Sequence, residues 1–405
     1  MPEATASGPA AAATDGVSIQ RLLAALIAGQ IGLHSAMAGI RLAAPLQVLH
    51  EGQSVAGVGA LMALFALAPV LLALQAGRMA DRRGYHPPMH IAVAMTALGA
   101  LLAVASTWLD AGPRFAVLCV AAVLGGGGAN IGLITIQRTA GRSARSTVER
   151  MRVFSWLGLA PALSNVVGAT SAGLLIDAVG FRGAYVFLLL LPLAAGLCAR
   201  YVPREVPEPP AAVPGRRRTA WDLLATPGMR SLLVVNWLMS ACWDVHSFAV
   251  PVLGHERGFS ASVIGLILGV FPLAVTGVRL LIPLLAARLQ AAQVLRGAML
   301  CTALMFAVYP LVSSPWLMGG CAVLLGLALG SVQPMIMSTL HHLTPHDRHG
   351  EAIALRSMTI NAASTLMPLL FGAAGAAMGV APVFWVMGAA VAAGSQITRR
   401  LRGLG

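Results

Sequence analysis

The stretch PLQVLHEGQSVAGVGALMALF, residues 45–65, returns as PVLGHERGFSASVIGLILGVF at residues 251–271. Pro45 falls on Pro251, Gly52 on Gly258, Ser54 on Ser260, Gly59 on Gly265 and Phe65 on Phe271, always at the same offset and without a gap. The correspondence runs on from Gln30 over Asn236 at its head to Arg82 over Arg288 at its tail. A chain of 405 residues that repeats at half its length is two copies of one unit, and both copies are built from long apolar runs.

Those runs decide the environment. Hydrophobic residues make up 58% of the chain and charged ones 10%, a balance that a water-soluble protein of this size does not carry. A bilayer crossing needs roughly 20 apolar residues. Runs of that length stand at about 22–49, 55–76, 89–108, 115–137, 153–176, 183–202, 229–252, 261–286, 294–312, 316–340, 353–375 and 380–397. The expected fold is an all-α membrane protein of twelve transmembrane helices, arranged as two six-helix bundles related by a pseudo-twofold axis.

All 27 basic residues are arginine, giving a formal charge of +13, and they alternate by loop. Arg78, Arg82 and Arg83 follow the second span. Arg138, Arg142, Arg145, Arg150 and Arg152 flank the link from fourth to fifth. Arg204 and Arg216 to Arg218 stand in the middle, and Arg399, Arg400 and Arg402 close the chain. The intervening loops carry Arg114, Arg182 and Arg257. The positive-inside rule then puts the basic loops and both termini in the cytoplasm, as an even number of spans requires. No clustered basic face with aromatic readers exists, so no nucleic acid is expected as a partner.

Residues 1–17 are rich in Ala and Gly, lack a basic signal-peptide start and read as a disordered tail. Residues 18–202 form the first bundle. The Pro-rich segment and triple arginine within 203–228 read as a cytoplasmic linker ending in a short surface helix. The second bundle covers 229–398, and 399–405 is a basic tail. Ser54 and Ser260 stand where a helix N-cap is needed. Gly125 to Gly128, and Gly372, Gly375 and Gly379, allow helix backbones to approach closely. Cys119, Cys198, Cys242, Cys301 and Cys321 all lie in apolar spans and read as core residues, not disulfides or metal ligands. His341, His342, His346 and His349 read as a solvated loop, and no metal or cofactor is expected.

The second span ends Gly77-Arg78-Met79-Ala80-Asp81-Arg82-Arg83-Gly84. Here the chain resembles the major facilitator superfamily, whose signature loop between its second and third helices places glycine, aspartate, arginine and glycine at these spacings. The match is carried by Gly77, Asp81, Arg82 and Gly84, and departs at Tyr85 and His86, where the family usually has basic residues. The resemblance implies that this loop is a cytoplasmic gate, with Asp81 latched to the N-terminus of the eleventh span near Gly350 and Glu351. The second copy has Pro283 and Ala287 opposite Gly77 and Asp81 and has lost the latch. The fifth span, from Gly158 through Pro161 and Asn165 to Gly173, resembles a degraded antiporter motif. Its proline serves either a gate or a packing kink.

At ~100° per residue, Gln30, His34 and Arg41 share one face of the first span. Asn236, Ser240, Asp244 and Ser247 share one on the seventh, where Asp244 is the one carboxylate well inside a span. The resemblance implies that these helices line a central cavity. Arg41 and Asp244 are expected either to form a pair that substrate or a proton competes for, with Asp244 and His34 as proton-coupling candidates, or to be a fixed structural pair; Arg41 snorkelling to the headgroups stays open as a third outcome. Arg279 either attracts an anionic group or snorkels to the inner surface. Gln333 and Asn361 are further cavity candidates, and Trp237 and Trp243 either line the cavity or pack against lipid, packing being favoured.

The implied activity is secondary transport by alternating access, with two halves rocking around a midplane site. No phosphate-binding loop for ATP occurs. The expected solute is an organic anion or an amphipathic neutral compound, with protons as possible coupling ions, lipids as neighbours, a monomer as the working unit, the bacterial inner membrane as location and efflux as the favoured direction. The alternatives are a facilitated uniporter and a non-transporting membrane sensor of the same fold. An enzyme would need paired acids within the spans, which are not present.

Overall fold

A computed structural model describes residues 9–143, 147–204, 220–285, 290–344 and 349–401. Among these residues the chain is helical throughout, in eleven α-helices: α1 (Pro9–His50), α2 (Val55–Arg83), α3 (His86–Ser106), α4 (Ala111–Ser143), α5 (Thr147–Cys198), α6 (Met229–Glu256), α7 (Ala261–Leu285), α8 (Ala291–Val308), α9 (Pro315–Leu343), α10 (His349–Met378) and α11 (Val380–Gly394). Each contributes a stretch long and apolar enough to cross a membrane.

The apolar stretch of α5 runs from Ala160 to Tyr201, 42 residues. That is ~60 Å of helix, twice a bilayer's hydrocarbon thickness. It turns back at Gly180, whose φ of 75° and ψ of 175° no side-chain-bearing residue adopts readily. The two arms of α5 are therefore two passes. With the other ten helices crossing once each, the fold has twelve. The connections 51–54, 107–110, 257–260 and 309–314, together with Gly180 and Gly379, lie at one end of the bundle, the far end. The described chain starts and finishes at the other, the terminus end.

The duplication is visible in backbone detail. Gly52 (φ 74°) ends α1 and Gly258 (φ 69°) ends α6. In each turn the glycine N–H and the next N–H reach back to the last helical carbonyls: Gly52 to Leu49 (2.9 Å) and Gln53 to Val48 (3.1 Å), Gly258 to His255 (2.9 Å) and Phe259 to Gly254 (2.9 Å). Both are Schellman caps, which need a left-handed glycine. Ser54 and Ser260 then cap the following helices, accepting from Gly57 N–H (3.3 Å) and Val263 N–H (3.4 Å). The four glycines of α4 seat it between α2 and α3: Gly126 lies on the Phe65 backbone, and a methyl at Gly128 would stand 2.7 Å from the Ala92 carbonyl.

The halves meet reciprocally. A methyl at Gly59 of α2 would stand 2.5 Å from the Pro368 carbonyl oxygen and 2.7 Å from Gly372 Cα of α10. A methyl at Gly265 of α7 would stand 2.6 Å from the Ala169 carbonyl oxygen and 3.3 Å from Gly173 Cα of α5. First half on second and second on first, through repeat-equivalent glycines, is what a twofold relation produces. Both contacts lie toward the far end. There the Asp177 carboxylate of α5 also accepts from the first N–H groups of α7, Ala261 at 3.0 Å and Ser262 at 2.7 Å.

Two expectations need adjusting. Helix α1 begins at Pro9, inside the segment read as disordered over 1–17; a proline at the first helical position followed by Ala10 to Ala13 is a strong helix start. The short surface helix after the linker is a single stretch of 3-10 helix, Ala220–Ala225, with Trp221 exposed. Residues 205–219 of the linker, residues 402–405 of the tail, His346 and Ala287 lie outside the described residues, as do the side chains of Asp81, Pro283, His341, His349 and Glu351.

Candidate functional site

Helices α1 and α6, one from each half, are among the most enclosed of the spans and meet through their polar stripes. Arg41 of α1 brings Nη2 to 3.8 Å from Asp244 Oδ1 of α6. Asp244 retains 4% side-chain exposure and Arg41 27%, so the carboxylate is enclosed while the guanidinium opens onto a cavity. The Ser364 hydroxyl of α10 also donates to Asp244 Oδ2 (3.2 Å). At 3.8 Å the ion pair is at the outer limit of direct contact. Removing either member of a buried pair strands the other charge, at a cost of about 3–5 kcal/mol.

Three cavities converge on Arg41. The largest, about 330 Å³, reaches toward the terminus end and is lined by Asn236, Ser240, Asp244, Arg279, Gln333 and Arg356, with Met239, Trp243 and Ile360 among its apolar walls. A second, about 180 Å³, lies between the halves, lined by His34, Phe65 and Asn130 of the first and by Asn361 and Ser364 of the second. A third, about 60 Å³, lies between Asn165, Trp243, Ser247 and Phe271 on the far side of Arg41. Space is thus wide on the terminus side of the pair and pinched beyond it.

Two further arginines face the large cavity. Arg279 of α7 donates from Nη2 to Gln333 Oε1 (2.7 Å) and from Nε to the Gly330 carbonyl (3.5 Å). It does not reach for the membrane surface. Arg356 of α10 donates from Nε to Asn236 Oδ1 (3.0 Å), and Asn236 Nδ2 donates to the Thr359 hydroxyl (3.1 Å). Arg356 was not among the residues singled out from sequence. It stands one and two helical turns from Ile360 and Ser364, which line the same cavity, so the i, i+4, i+8 spacing is the signal that marks it.

The other expected residues fall as follows. Asn165 borders the small cavity and donates to the Pro161 carbonyl (2.9 Å), while the helix continues through Pro161 without a break. Trp243 packs edge-on against Phe271, ring centroids 4.6 Å apart, and also lines two cavities. Trp237 packs against the second-half core. Gln30 is 1% exposed and is not on the wall of any of these cavities. It shares Arg41's face but lies three turns, ~16 Å, further along α1. At the proposed gate, Gly84 (φ 72°) caps α2 by donating to the Ala80 carbonyl (3.0 Å), Arg82 is exposed and a methyl added at Gly77 would enter open space. Whether Asp81 latches lies outside the described side chains.

The family model of the Major Facilitator Superfamily matches residues 26–239 and again 232–399. Among solved structures, the chain is similar to a POT family transporter in complex with 5-aminolevulinic acid (TM-score 0.74, 12% identity, 94% of this chain and 98% of that one). It is also similar to a variant of the nucleoside transporter NupG (TM-score 0.74, 13% identity, 93% and 99%) and to a bacterial metal transporter (TM-score 0.71, 15% identity, 95% and 99%). No curated protein matches the sequence. At these identities the likeness is one of fold. With the family model spanning both halves, the chain belongs to the major facilitator superfamily of membrane transporters.

Proposed function

We propose that this protein is a proton-coupled secondary transporter that moves a small organic solute, anionic or amphipathic and neutral, by alternating access. The observation that carries the proposal is the Arg41–Asp244 pair, which spans the two halves at the point where the cavities meet. A solute or proton that weakens this pair weakens the bond between halves, which is how occupancy is turned into a change of the open side.

The basic loops favour a cytoplasmic terminus end. The wide cavity then faces the cytoplasm, and the far end, held by Asp177 and the glycine contacts, is the closed external gate. Loading from the cytoplasm agrees with efflux. Asp244 takes the proton and Arg41 keeps the protonation competitive; His34, on the wall of the 180 Å³ cavity, is the second proton candidate.

The test is flux in reconstituted vesicles, using a panel of dyes, antibiotics and organic acids with and without an imposed pH gradient. The proposal expects gradient-driven movement of at least one compound in the native protein and loss of the pH response in Asp244→Asn. Unchanged pH dependence in that variant removes Asp244 as the proton site. Binding without flux would instead make the protein a sensor.

A further inference from the structure

We infer that Arg279 and Arg356 together form an anion site, selecting an organic acid whose headgroup offers two or more oxygens, a carboxylate or a phosphate, on an apolar body. The inference rests on reading the large cavity as the solute site, and narrows the solute to one chemical class.

Charge comes first. Among the described residues, the large cavity is lined by Arg41, Arg279 and Arg356 against a single carboxylate, Asp244. Asp244 is committed to Arg41 and to the Ser364 hydroxyl. Among the described residues, Arg279 and Arg356 bond neutral acceptors: Gln333 and the Gly330 carbonyl for one, Asn236 for the other. Among the described residues, two guanidinium charges therefore face one cavity without a paired counter-charge. Such an arrangement is favourable when an anion sits between them.

Positioning comes second. Each guanidinium is held by an amide oxygen from a neighbouring helix, α9 for Arg279 and α6 for Arg356, and Asn236 is in turn fixed by Thr359. Amide anchors fix a guanidinium without neutralising it, which leaves its remaining N–H donors for a ligand. The planar fork of arginine matches a carboxylate or phosphate through paired hydrogen bonds, and two anchored forks match a headgroup with several oxygens. Met239, Trp243, Leu329, Val332 and Ile360 supply apolar wall for the rest of the molecule. A volume of about 330 Å³ is at the lower end of small-molecule sites.

The test uses the full chain in lipid nanodiscs and equilibrium binding followed by tryptophan fluorescence and calorimetry. The probes are benzoate, phenyl phosphate and benzenesulfonate, with benzamide and benzyltrimethylammonium as neutral and cationic counterparts. At least one anion is expected to bind ten-fold or more tightly than both counterparts and to weaken as salt rises. Arg279→Gln and Arg356→Gln are each expected to lose that preference by ten-fold or more, and Arg356→Lys to retain part of it. Tighter phosphate than carboxylate binding, or the reverse, identifies the headgroup.

Anions that bind no better than benzamide would overturn the inference. So would a preference that survives both glutamine substitutions in variants that stay monodisperse with native thermal stability. The two readings separate cleanly. Vesicle flux of a neutral compound that the anions do not inhibit leaves the carrier standing and sinks the anion site. Arginine-dependent anion binding without any flux keeps the anion site and sinks the carrier.

Discussion

Arg41 borders every cavity described here and touches the one carboxylate in the large one, so its interactions govern how the halves communicate. Breaking the pair from one side should cost more than removing it whole. Arg41→Leu is expected to destabilise the purified protein by about 3 kcal/mol, and the double variant Arg41→Leu with Asp244→Leu by clearly less, because no charge is stranded. Thermal unfolding of the two variants checks this; a double variant as unstable as Arg41→Leu, or less stable still, would show that removing Arg41 leaves no stranded charge on Asp244. At this scale the sequence was partly legible. Helical periodicity placed Arg41 and His34 on the cavity side of α1 and Asn236, Ser240 and Asp244 on that of α6. Periodicity gives angle and not depth, which is why Gln30 shares Arg41's face yet is buried and lines none of the three cavities at Arg41. Arg356 went unnoticed for the opposite reason: it lies near the start of an apolar run beside other basic residues, where an arginine reads as a loop anchor unless its spacing with Ile360 and Ser364 is taken into account.

Helices α5 and α7 are joined by a contact that no local pattern announces. Asp177 stands three residues before the turn at Gly180 and would pass for a loop acid, yet it caps the start of α7 from the other half of the molecule. An anionic cap on a helix N-terminus is favourable through both the free amides and the helix dipole. The repeat-equivalent contact of α10 with α2 has no carboxylate, since Ala376 stands near the corresponding place, so the far end has a carboxylate cap on one side and glycine packing alone on the other. Asp177→Ala is expected to loosen this end by about 1 kcal/mol, roughly five-fold in the open population. The reading is the labelling rate of Thr170→Cys by a membrane-impermeant thiol reagent, in a background without the native cysteines; an unchanged rate would show that Asp177 does not hold the gate. Gly59→Leu should have the same sign by a different cause, since its side chain has no room against Pro368 and Gly372. The local caps, by contrast, were readable: Ser54 and Ser260 follow from residue type and position alone.

At the scale of the molecule, a repeat of apolar runs determines twelve passes and two related halves, and the reciprocal packing of Gly59 and Gly265 follows from that relation. Which end is open does not follow from the repeat, because the same twofold halves close at either end. It depends on contacts between residues some hundred or more positions apart, such as Gly59 with Gly372. The most direct measurement is the pair of distances across the two ends, by electron spin resonance between labels on the exposed residues Asp110 and Ser313 at the far end and Arg82 and His342 at the terminus end. Rocking halves predict that the far-end distance lengthens as the terminus-end distance shortens when pH or a bound solute is changed, and that Asp177→Ala likewise lengthens the far-end distance and shortens the terminus-end one. Distances that stay fixed under every condition, or that lengthen and shorten together, would contradict alternating access.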